Sequence, residues 1–171
     1  IGTLSPGGRG FERDPSVRQM LEQATVALGD RLQDDPATRG SIHAAVGDAW
    51  RSLGEHERAA SHLRQAAADY TLAFGDDDPL ALKANYGLVR TLAYAGNAEA
   101  FAEAARILES ADARAGALLQ GENEVALNAA IARGQFHFQQ LQIEPSLQAH
   151  RGADALQRSL RPDDAPMAAL I

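Results

Sequence analysis

The side chains best suited to chemistry are five histidines, His43, His56, His62, His137 and His150, and two short acidic runs, Asp76 with Asp77 and Asp78, and Asp163 with Asp164. A hydrolytic zinc site needs two imidazoles one helical turn apart so that both reach the same ion. No two of these histidines have that spacing, and His56 and His62, six apart, fall on different faces of one helix. They read as surface or helix-packing residues. The carboxylates stand just ahead of helix starts, where they cap free N–H groups and meet the positive end of the helix. Cysteine is absent, which removes thiolate chemistry, disulfides and cysteine-based zinc sites. Phosphate-cradling and nucleophile-elbow motifs are missing too; Gly7, Gly8 and Gly10 lie in a Gly- and Pro-rich start with no strand before it. The expectation is a chain with no catalytic residue, no metal and no cofactor.

The elements that would position any site are helices. Hydrophobic residues make up 45% of the 171 residues, but aromatics only 5%, so alanine and leucine supply most of the apolar surface. Small side chains let helices approach closely, and no stretch alternates as a strand would. Between Ile42 and Ala66 the small and apolar positions Val46, Gly47 and Trp50, then Ala59, Leu63 and Ala66, form two helical stripes separated by Gly54. That is a helical hairpin, and Trp50 is expected between its two helices and the next repeat.

Landmarks recur around it. Asp34-Asp35-Pro36 is answered by Asp77-Asp78-Pro79 and Asp164-Ala165-Pro166, and Gly54 by Gly96, a period of about 42–46 residues. The spacing predicts a linker over 1–14 and a repeat domain over 15–171. Its parts are a leading helix (15–34), three repeats (35–77, 78–121 and 122–162) and the opening of a fourth (163–171). Within them, helices are expected over 15–32, 37–53, 56–74, 80–95, 98–119, 123–141 and 145–160. The fold class is all-α, a superhelical stack of antiparallel hairpins.

These residues resemble the tetratricopeptide repeat family. His43, Val46-Gly47, Trp50, Ala59 and Leu63, with Ala66 following, occupy the family's signature positions. His43 departs from it, standing where tryptophan is common. In the second repeat Gly96 keeps the turn while Val89 and Phe101 replace small residues; in the third Gly134 is kept and Leu141 replaces the turn glycine. A period near 42 is similar to the longer variant found in kinesin light chains and in bacterial transcriptional regulators and kinases. The resemblance implies a protein-binding module of a larger bacterial regulatory protein, periplasmic if that protein is membrane-anchored and otherwise cytoplasmic.

In such a stack the first helix of each repeat lines a concave wall. With Val46, Gly47 and Trp50 on the packing face, Ala44, Asp48, Arg51 and Ser52 turn towards the groove. Lys83, Tyr86, Arg90 and Tyr94 follow in the second repeat, and Asn128, Ile131, Gln135 and Phe138 in the third. The peptide-binding residues expected from this register are Arg51, Ser52, Lys83, Tyr86, Arg90, Tyr94, Asn128 and Gln135. Two cations beside two tyrosines, in a chain of net charge −7, suit an acidic or C-terminal peptide. The same net charge argues against nucleic acid as partner, and no apolar run is long enough to cross a membrane. A self-assembly scaffold forming homo-oligomers is the competing expectation, and a small-molecule sensor the third.

Overall fold

The computed structural model describes residues 18–22 and 34–162, with no strand among them. The linker, most of the leading helix and the fourth-repeat opening at 163–171 lie outside the described residues. Six α-helices follow the helical residues 18–22: α1 (Pro36–Ser52), α2 (His56–Phe74), α3 (Pro79–Ala95), α4 (Ala98–Ala115), α5 (Glu124–Gln139) and α6 (Ile143–Leu160). Among the described residues no helix is long and apolar enough to cross a membrane.

The acidic-proline landmarks are helix caps. Asp35 accepts from the Thr38 N–H at 3.0 Å and Asp78 from the Leu80 N–H at 2.8 Å, each followed by a proline whose missing donor costs nothing in the first turn. Asn97 and Asn123 cap α4 and α5 in the same way. The helix expected to run on to Leu119 stops at Ala115 instead. Gly116 takes φ +46°, which breaks the α ladder, and the chain continues as a 3-10 turn over Gly116–Gln120.

The turns of the first and third hairpins match, 87 positions apart. Gly54 N–H donates to the Arg51 carbonyl and Glu55 N–H to that of Trp50; Leu141 N–H donates to the Phe138 carbonyl and Gln142 N–H to that of His137. Gly54 sits at φ +76° and Leu141 at φ +59°. The turn therefore keeps its left-handed conformation where the glycine is gone, at a strain cost of about 1–2 kcal/mol.

Each helix packs on the next along the chain from α1 to α4, α5 packs on α6, and α3 and α5 lie against one another, whereas α1 barely meets α3. The largest core joins Leu82, Tyr86 and Val89 of α3 to Leu108 and Ala111 of α4 and to Val125, Ala129 and Phe136 of α5. Trp50 is buried, 2% exposed, but not beside the next repeat. It packs with Val46, Ala59 and Leu21, towards residues 18–22, and the Arg58 guanidinium covers its ring at 4.7 Å.

Candidate functional site

Helices α1 and α3 each turn one stripe towards a cleft of about 250 Å³, floored by Leu63 and Tyr70 of α2 and reached by one residue of α5. Its walls carry Asp48 and Arg51 from α1, Lys83, Gly87 and Arg90 from α3, and Asn128 from α5. Four of the eight expected site residues, Arg51, Lys83, Arg90 and Asn128, thus share one concavity. Arg51 bonds to Asp48 on its own helix at 2.9 Å. Lys83 and Arg90 have no ion-pair partner among the described residues. Burial, with Arg51 nearby, pushes the Arg90 guanidinium below the usual arginine value, against the opposing charge of Asp48. Its Nε is buried without a hydrogen-bond partner.

One turn beyond Arg90, Tyr94 is half-exposed and stacks on His56 with ring centres 5.5 Å apart. Its hydroxyl accepts a long bond, 3.4 Å, from Gln135 Nε2. Tyr94 and Gln135 line a neighbouring trough of about 370 Å³ with Phe138, Ile143 and Leu147. The Gln135 amide oxygen is buried and has no partner.

Two expected groove residues lie elsewhere. Tyr86 is fully buried and its hydroxyl donates to Asp112 Oδ1 at 2.9 Å. Burial first, and that bond second, raise its pKa well above the ordinary tyrosine value. At 100° per residue, Lys83 and Arg90 differ by about 20° around α3, while Tyr86 lags Lys83 by about 60° and turns into the core. Gly87 takes the cleft position instead. Ser52 is exposed but outside the cleft, its hydroxyl bonded to the Asp48 carbonyl at 2.9 Å. Asn128 sits in the cleft and donates to the Glu124 carbonyl at 2.7 Å.

Sequence spacing also missed a pairing across the first hairpin. His43 and His62 are both buried, with their Nδ1 atoms 2.9 Å apart. Nineteen positions on two helices separate them, so no one-helix spacing rule could have joined them. No group of three or more His, Cys, Asp or Glu is placed to hold a metal among the described residues. The cleft brings together the cations Arg51, Lys83 and Arg90, the carboxylate of Asp48, the Asn128 amide and apolar walls. Comparison with protein-family models, curated proteins and solved structures gives no match for this chain.

Proposed function

We propose that the chain is a tetratricopeptide-type helical repeat that binds an acidic peptide along α1, α3 and α5, as the interaction module of a larger bacterial regulatory protein, with no chemistry of its own. The observation that carries this reading is the convergence of Arg51, Lys83 and Arg90 on one cleft lined by one carboxylate, Asp48, which is bonded to Arg51, in a chain of net charge −7. A half-buried cation left unpaired is costly to a folded protein, and a ligand carboxylate relieves that cost. The 87-residue recurrence of the first hairpin in the third supports the stack, since repeats of one hairpin stacked at a fixed offset generate a continuous inner wall.

The test is fluorescence anisotropy with labelled decapeptides rich in Asp and Glu and ending in a free carboxylate. The double variant Lys83→Glu, Arg90→Glu, shown by circular dichroism to remain helical, should lose at least about tenfold in affinity. Wild-type binding should weaken between low and physiological salt. Affinity unchanged by the charge reversal would remove the cleft from the binding surface.

A further inference from the structure

The trough beside α5 and α6 corresponds to a surface that is covered elsewhere in the molecule. The first and third hairpins match at their turns, and again where their helices cross: a Cβ at Gly47 would lie 2.8 Å from Leu63, and one at Gly134 would lie 2.7 Å from His150. At that offset Ile143, Leu147 and His150 of α6 correspond to His56, Ala60 and Leu63 of α2. The three α2 residues are a seat for α3. Ala60 and Leu63 are buried in one cluster with Leu82, Tyr86 and Val89, Leu63 faces Gly87, and His56 stacks on Tyr94. Seven residues forward on α2 is seven residues back on α3, so the seated helix runs antiparallel. On α6 the same face is bare. That helix packs on α5 alone among the described helices, and its Ile143 and Leu147 are 52% and 42% exposed. With Tyr94 and Phe138 they place four large side chains, open to water, in one recess, which marks a binding surface.

We infer that this face is a homodimer interface, on which α6 of a second copy lies antiparallel to α6 as α3 lies on α2. The occupant follows from α6 itself, which buries only Ser146 and Ala153 and so carries an apolar face to offer as well as a seat to fill. At 100° per residue, Ile143, Leu147 and His150 fall within about 60° of one another. Glu144 and Arg151 border that stripe on the side away from α5, and neither has an ion-pair partner among the described residues. A two-fold axis through Leu147 sets that side chain against its own copy. It also brings Glu144 to within one residue, about 1.5 Å of rise, of Arg151 of the second copy, and symmetry makes the pair twice. Parallel helices would instead set Glu144 beside Glu144 and Arg151 beside Arg151. Charge therefore selects the antiparallel pairing that the seat geometry also requires. The cationic cleft shares no lining residue with this face, so acidic-peptide binding and dimerisation are separable.

Sedimentation velocity on the whole chain, from about 1 μM to about 1 mM, reads the association. The natural chain should pass from monomer to dimer within that range. Leu147→Glu, checked by circular dichroism to remain helical, should weaken dimerisation at least about tenfold. Glu144→Arg alone and Arg151→Glu alone each set like charges together at two places, and each should weaken it about tenfold. An equimolar mixture of those two variants restores opposite charges at both places and should regain the natural affinity. A chain that stays monomeric throughout, a dimer indifferent to Leu147→Glu, or a mixture that associates no better than either variant alone overturns the inference. Species that grow beyond the dimer with concentration would mean a head-to-tail contact and also overturn it.

Discussion

His43 on α1 and His62 on α2 meet Nδ1 to Nδ1 at 2.9 Å inside the first hairpin, each less than a tenth exposed. Such a contact requires one ring to donate and the other to accept, and burial, which disfavours the charged form of each, favours two neutral rings in opposite tautomers. The charged groups acting on the pair are Asp69, which favours the His43 imidazolium, and Arg39, which opposes it. Arg39 is itself bonded to Asp69, Nε to Oδ1 at 2.8 Å.

Burial lowers both histidines below the ordinary value of 6.5, and His43 further disfavours the charged form of His62. The unfolded chain therefore takes up protons first as pH falls. The pair's contribution is complete above pH 6.5 and is lost progressively as pH drops from there through the lowered folded values. Urea midpoints should fall between pH 7.5 and pH 5 by more in the natural chain than in a His43→Leu, His62→Leu variant. Equal slopes would mean that the pair is not titrating where the geometry puts it.

The recurrence of hairpins makes a second prediction, on two glycines. A Cβ at Gly47 would lie 2.8 Å from Leu63 Cγ and 3.3 Å from the Ala59 carbonyl. Leu63 is only 2% exposed and has nowhere to go, so Gly47→Ala should cost about 1–3 kcal/mol. A Cβ at the equivalent Gly134 would first meet the His150 ring, at 2.7 Å, and that side chain is exposed and can swing aside. Gly134→Ala should be neutral, or stabilising by up to about 1 kcal/mol through helix propensity. Thermal denaturation of the two variants checks the contrast; similar losses in both would contradict the packing described.

Tyr86 supplies a third. Its hydroxyl, with Arg133 Nε at 2.9 Å on the other carboxylate oxygen, holds Asp112 between α3, α4 and α5. Tyr86→Phe removes a bond to a charged acceptor and should cost about 1.5–3 kcal/mol, while acidic-peptide affinity stays as it was. Lost affinity at unchanged stability would return Tyr86 to the groove.

How far the sequence reached depends on which physical rule each feature obeys. Helices announced by local chemistry were legible: Asp35-Pro36 and Asp78-Pro79 became caps, and Gly54 and Gly96 became left-handed turns. Leu141 kept that turn without glycine, and only the distant match to Gly54 reveals it. Of the site, the i, i+7 pair Lys83 and Arg90 landed together because that spacing nearly closes two helical turns. Tyr86, at i+3, did not, because 60° suffices to carry a side chain from a cleft wall into a core. The trough under Phe138 and Leu147 was out of reach, since it depends on how α6 meets α5.

The last prediction separates a residue held for the fold from one held for a ligand, and it concerns Arg90. Its guanidinium is mostly withdrawn from water, near Arg51, with Nε unbonded; Asp48, whose carboxylate acts on it, is bonded to Arg51 instead. A group serving the fold alone would be expected to bring its own partner, as Arg133 does with Asp112 and Arg64 with Glu103. Arg90→Met keeps most of the length and apolar contact while removing the charge and the unsatisfied donor. The free protein should then gain stability, by about 1 kcal/mol. The same variant should bind acidic decapeptides more weakly, a trade of affinity for stability of the kind binding sites impose. Paired urea titrations and anisotropy measurements read both quantities on one preparation. If Arg90→Met destabilises the protein and leaves affinity untouched, Arg90 is a packing residue, and the cationic cleft has lost its central member.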